Sequence, residues 1–228
     1  MTTRFGSYLL IFSFLSLVDP VDLSAQQKDF QSWWEIALDK DLGKNFELSG
    51  EFEQRFRNNS LQYDRSQISL AGEYGINKYL DIAAGARTVL ANSRELRLNI
   101  KYRLHVEATG KYSAAGFDLS LRVRLQYGFE DLFDPAFEGR NNFGNRFRLK
   151  VSRHIFGTRI DWFASTESWS LLNDNSGILF YKMRYAAGVQ YNLSFDSQVN
   201  VSYLLEDEFN IRDPLQSYIL VIGYSHSF

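Results

Sequence analysis

The sequence predicts an all-β chain: an antiparallel, up-and-down transmembrane β-barrel of about 10–12 strands that follows a cleaved N-terminal signal peptide. Three observations predict it. An apolar run near the start is too short to span a bilayer, the rest alternates apolar and polar residues over long stretches, and the connections alternate between short and long. Composition agrees. The 228 residues hold three prolines, no cysteine and 16% aromatic residues, a balance that favours β-structure. The absence of cysteine excludes disulfides, thiolate metal sites and a lipidated cysteine. The net charge of -2 gives no basic stripe for nucleic acid.

Residues 1–25 read as the leader. Met1 to Arg4 is weakly basic, Tyr8 to Val18 is apolar, and Leu23-Ser24-Ala25 offers small residues before Gln26. A membrane helix needs about 20 apolar residues, which this run does not reach. Residues 26–228 are then one barrel domain in the outer membrane.

The mature part opens on residues 32–39, with Trp33 and Trp34. This segment either joins the wall or tucks into the lumen or against the rim, and it leaves the strand count undecided between an even ten, eleven and a possible twelve. Phe46 to Arg57 alternates clearly: Phe46, Leu48, Phe52 and Phe56 oppose Glu47, Glu51, Glu53, Arg55 and Arg57. Period two with one apolar face marks a half-buried strand. Weaker strands follow at 65–75 and 80–90. Residues 94–108 set Leu96 to Val106 against Arg97, Lys101, Arg103, His105 and Glu107. Residues 117–129 set Leu119, Leu121, Val123 and Leu125 against Asp118, Arg122, Arg124 and Gln126. Further strands are expected at 145–155, 160–170, 179–191, 197–209 and 217–228. Their length suits a membrane crossing, which takes about 9–11 tilted residues. The last ends in Tyr224, His226 and Phe228, which resembles the C-terminal signal that outer-membrane barrels present to their insertion machinery. The connections at 76–79, 156–159 and 192–196 are tight, and 130–144 is long. Residues 58–64 and 171–177 are intermediate, 109–116 is long for a turn and 91–93 short for a loop.

Trp33-Trp34-Glu35, Leu42-Gly43-Lys44-Asn45, Glu51 to Arg57 and Arg146-Phe147-Arg148-Leu149 resemble the domain of unknown function 2490 family, a barrel family of Bacteroidetes-type bacteria. The likeness covers nearly the whole mature chain. It implies an outer-membrane barrel and supplies no catalytic residue.

The inward faces carry the candidate chemistry. Arg97, Lys101, Arg103, Arg122, Arg124, Arg146, Arg148 and Lys150 form an expected basic wall, and Glu47, Glu51, Glu53, Glu206 and Glu208 an acidic wall opposite. Three functions follow. Long side chains pairing across the lumen would fill it, giving a structural or accessory barrel, and this is the leading reading. An open lumen would be a small-solute channel that favours anions. A lipid-modifying enzyme needs a serine, a histidine and an orienting group together. His226 has Ser225 and Ser227 beside it, but neighbours on a strand point to opposite faces. His105 and His154 lie two strands apart. No phosphate loop or metal-ligand spacing occurs. No catalytic residue, cofactor or metal is therefore expected, and the expected partners are outer-membrane lipid and the insertion machinery.

Overall fold

The computed structural model describes residues 27–92, 98–130, 141–174, 177–211 and 213–228. The described residues form eleven strands: β1 (Gln27–Asp41), β2 (Phe46–Arg57), β3 (Gln62–Asn77), β4 (Leu80–Asn92), β5 (Leu98–Ala114), β6 (Phe117–Glu130), β7 (Asn142–His154), β8 (Ile160–Asp174), β9 (Gly177–Asn192), β10 (Ser197–Glu208) and β11 (Leu215–Ser227). Each pairs with its sequence neighbours, and β1 meets β11 to close the barrel. Period-two patterning dictates this result. A sheet with one apolar and one charged face must separate them, and closure does so while leaving no edge strand unpaired.

Residues 32–39 therefore belong to the wall, within β1, and the count is eleven. The other ten strands match the expected order. The barrel is not antiparallel throughout: β1 runs parallel to β11, with Trp33 opposite Val221 and Ile36 opposite Tyr224. An odd number of up-and-down strands makes the first and last point the same way. The seam ends where the Phe228 amide donates to the Asp39 carbonyl at 2.9 Å. The Lys40 ammonium lies 4.8 Å from the Phe228 ring centroid.

Turn chemistry sorts the two ends of the barrel. The tight connections 42–45, 78–79, 115–116, 155–159 and 193–196 all lie at the Phe228 end. The segment 109–116 is not a long turn. Strand β5 continues to Ala114, and the turn is Ala115-Gly116 with φ of 53° and 78°. Both residues have the positive φ that suits the twist of a two-residue hairpin, and glycine takes the second position at no steric cost. Likewise β8 runs on to Asp174, so Leu171 to Asp174 are strand. At the opposite, loop end β4 is joined to β5 and β6 to β7 through segments outside the described residues, and β8 and β9 are only two residues apart in sequence. That end also carries 58–61, where Asn58, Asn59 and Ser60 are all left-handed.

The outer face is apolar and exposed: Ile68, Leu70, Leu104, Val106, Leu121 and Leu149 are among its members. The interior departs from a purely polar filling. Trp33, Leu204, Ile219 and Val221 are buried together, with Ala186 against them. The lumen thus has one apolar quarter, built by β1 and β9–β11, and a charged remainder.

Candidate functional site

Directly opposed residues on neighbouring strands share a face of the sheet. The register therefore writes two inward rows across β10, β9, β8, β7 and β6. The first runs Glu206, Arg184, Glu167, Arg148, Arg122. The second runs Glu208, Lys182, Trp169, Arg146, Arg124, and reaches Glu107 on β5. Opposite charges within them pair. Arg184 Nη2 donates to Glu206 Oε2 at 2.5 Å, and Lys182 Nζ lies 2.9 Å from Glu206 and 2.8 Å from Glu208. Arg122 Nη2 donates to Glu167 Oε1 at 2.8 Å, and Arg124 Nε to Glu107 Oε2 at 2.5 Å. Arg184 also stands 4.0 Å from Glu167.

On the opposite side, Arg55 pairs with Glu53, which also accepts from the Gln67 amide. The Arg55 guanidinium lies 3.5 Å from the Trp33 ring centroid, and that of Arg184 lies 4.9 Å from it. Arg184 further stands 4.6 Å from the Trp169 ring. Cations over indole faces gain from the ring quadrupole, more so when desolvated. Trp33, Arg55, Arg65 and Lys182 line both a mid-lumen cavity of about 480 Å³ and a smaller void of about 150 Å³ toward the loop end. They form a layer between the two.

The cavity is strongly basic. Eleven Arg and Lys residues line it against Glu35, Glu51, Glu53 and Glu167. Of the expected basic residues, Arg103, Arg122, Arg124, Arg146, Arg148 and Lys150 line this cavity. Lys101 lies on β5 opposite Val89 and does not line it. Arg97 lies outside the described residues. The expected acidic residues divide. Glu51 and Glu53 line the cavity, Glu206 and Glu208 line the smaller void, and Glu47 sits near the tight-turn end opposite Glu73 and Asp41.

Charges pair with near neighbours on the sheet rather than across the lumen. Arg87 reaches Glu51 at 3.4 Å from two strands away. Among the described residues, Arg103, Arg146, Arg148 and Lys150 have no carboxylate within 4.0 Å. The buried Nε atoms of Arg122, Arg146 and Arg148 have no acceptor among these residues.

Sequence alternation missed several lumen groups, chiefly Glu35, Arg87, Glu167, Lys182 and Arg184. The apolar parity of Met183, Tyr185, Ala187 and Val189 would have assigned Lys182 and Arg184 to the interior. On β8 no such signal exists, because Trp162 and Phe163 adjoin and small residues follow on both faces.

The histidines acquire partners that spacing did not reveal. Ser197 on β10 lies opposite His226, with Oγ 2.9 Å from Nδ1 on the outer face. Tyr224 donates to that same Oγ at 3.3 Å, and His226 stacks on Phe228. Among the described residues no carboxylate contacts His226, so the serine–histidine pair lacks an orienting group. His154 Nδ1 lies 2.8 Å from Asp161 Oδ1. His105 is buried on β5. No described group of three His, Asp or Glu side chains is placed to hold a metal ion.

The family described as protein of unknown function (DUF2490) matches residues 30–213, from β1 to the connection before β11. The chain belongs to this family. Among solved structures, this member of the family is similar to a NanC porin, with 16% identity, a TM-score of 0.51, and coverage of 88% of this chain and 99% of that one. At that identity the likeness establishes the fold, a porin-like barrel. A bacterial polysaccharide outer membrane secretin aligns at 13% identity and a TM-score of 0.42, over 80% of this chain and 73% of that one. No curated protein matches.

Proposed function

We propose that this DUF2490 barrel spans a bacterial outer membrane and that its lumen passes small solutes with a preference for anions. The observation that carries the reading is the mid-lumen cavity, where eleven basic residues face four carboxylates and, among the described residues, four of the cations have no carboxylate partner. Rings or walls of one charge select ions of the other, and long-range fields draw them in. The membrane setting is supported by strands of 12–17 residues and an apolar exterior. By the usual topology of such barrels the tight-turn end is periplasmic and the loop end faces outward. Residues 1–25 serve as a removed secretory signal, outer-membrane lipid surrounds the wall, and the strand ending in Phe228 is presented to the insertion machinery. The role is transport rather than catalysis, a reading supported by a serine–histidine pair without an orienting group.

A filled lumen keeps one specific support, the Trp33–Arg55 layer that narrows the loop end. Flux separates the two readings. Vesicles loaded with potassium chloride and carrying the folded protein should release chloride several-fold faster than potassium when each counter-ion is given its own ionophore. Release no faster than from protein-free vesicles would refute conduction, and faster potassium release would refute the preference.

A further inference from the structure

Strands β6 and β7 place like charges directly opposite each other twice in succession. Arg122 faces Arg148, and Arg124 faces Arg146. Opposed side chains stand about 4.5–5.5 Å apart at Cβ, and alternate residues along a strand are about 6.6 Å apart. Four guanidinium groups thus spring from one small square of wall. Like charges in this arrangement destabilise a sheet unless something compensates them. The protein compensates only part. Glu107 takes Arg124 and stands 3.8 Å from Arg122, and Glu167 takes Arg122. Among the described residues Arg146 and Arg148 have no carboxylate within 4.0 Å, and Arg146 instead stands 5.0 Å over the Trp169 ring, which leaves two positive charges without a counter-charge.

The uncompensated charge is aimed inward and is underused. All four arginines line the mid-lumen cavity. Nε of Arg122, Arg146 and Arg148 is buried without an acceptor among the described residues. Gln126, also on the cavity, has no donor to its Oε1 among the described residues. Lys150 stands 4.9 Å from the Phe163 ring and adds a further cation on the same strand. Guanidinium groups hold oxyanions through paired N–H donors of fixed geometry. A planar carboxylate offers one charge and two oxygens. A phosphate monoester offers close to two charges and three peripheral oxygens, which matches both the residual charge and donors arriving from two strands. A hydroxyl on the rest of such a ligand would supply Gln126 with its donor.

We propose that the arginine square of β6 and β7 is a binding site for a doubly charged tetrahedral oxyanion, in particular the phosphate group of a small, hydroxyl-bearing phosphate monoester. The site rests on the reading of the lumen as a path for anions and names the solute class that the path would hold.

Equilibrium binding to the folded, detergent-solubilised protein tests this independently of conduction. Titration calorimetry at pH 8 and fixed ionic strength would use inorganic phosphate, glucose 6-phosphate and glucuronate. Saturable binding of both phosphates, with glucuronate at least tenfold weaker, is expected. The double variant Arg146→Gln/Arg148→Gln should lose at least tenfold in phosphate affinity while keeping the heat-modifiable migration of a folded barrel. Its thermal midpoint without phosphate should equal or exceed that of the parent, because the substitution removes like-charge repulsion. Glucuronate binding as tight as phosphate, no saturable phosphate binding, unchanged affinity in the double variant, or a double variant that no longer folds would each overturn the site. Phosphate binding with no current across a bilayer would overturn the conducting lumen and leave the site standing. Current without phosphate binding would do the reverse.

Discussion

Glu167 is the carboxylate on which the basic side of the lumen depends. It accepts from Arg122 at 2.8 Å, stands 4.0 Å from Arg184, and lies opposite Arg148 in the ladder. Replacing Glu167 with Gln keeps the shape and removes the one charge that these arginines share. A hydrogen bond to a charged group contributes about 1.5–3 kcal/mol, and the loss should fall in that range. Urea titrations in lipid vesicles would measure it, and a change below about 0.5 kcal/mol would mean that water already screens these arginines. The same position shows what sequence could reveal. Arg122, Arg124, Arg146 and Arg148 are legible because leucine, valine or phenylalanine separates them on β6 and β7. Glu167 is not, because Phe163 and Trp169 share its inward face and Thr166 and Ser168 lie outside. A lumen that buries aromatic rings under guanidinium groups breaks the simple rule of polar inside and apolar outside. The ion pairs themselves depend on register, which alternation alone does not specify.

At the scale of strands, the two faces of β6 predict opposite responses. Leu121 is exposed on the outer face between Leu119 and Val123. In the proposed membrane setting, changing it to Arg would place a charge against lipid, at a cost of about 2–4 kcal/mol near the midplane. Vesicle folding titrations would read that loss, and an unchanged midpoint would remove Leu121 from the lipid face. The parallel seam between β1 and β11 is the element least visible in sequence. Trp33 is buried and Trp34 exposed, so two adjacent indoles hide the alternation, and nothing local specifies a parallel partner nearly two hundred residues away. Cysteines at Ser32 and Leu220, register partners on the seam, test it in this cysteine-free chain. Neighbouring strands lie about 4.8 Å apart, within disulfide reach. Oxidation should produce an intramolecular link as readily as in a Val201→Cys/Ile222→Cys control on the β10–β11 pair. A control that links while the seam pair stays reduced would contradict the closure.

The whole molecule divides its charge unevenly although the chain is nearly neutral, with a net charge of -2. Cations gather on the inner wall of β4–β7. Carboxylates sit on β1 and β2, at the Glu206–Glu208 end of β10, and near the tight turns, where Glu47 faces Glu73 and Lys111 pairs with Asp81. Composition therefore conceals a polarised lumen, and closure of the barrel is what brings it into being. The barrel and its strand order were legible because each follows from local patterning, whereas the length of the connections was not, since the strands β5 and β8 run on into segments that read as turns or loops. The balance between a filled and a passable lumen was not, because it depends on which charges find partners once the eleven strands close. Reversal potential in a planar bilayer under a tenfold potassium chloride gradient reports the anion preference of the lumen. The parent protein should give a potential shifted toward the chloride equilibrium value, and the Arg146→Gln/Arg148→Gln variant a shift toward zero. A parent potential on the potassium side, or no channel activity from folded protein, would contradict an anion-selective lumen.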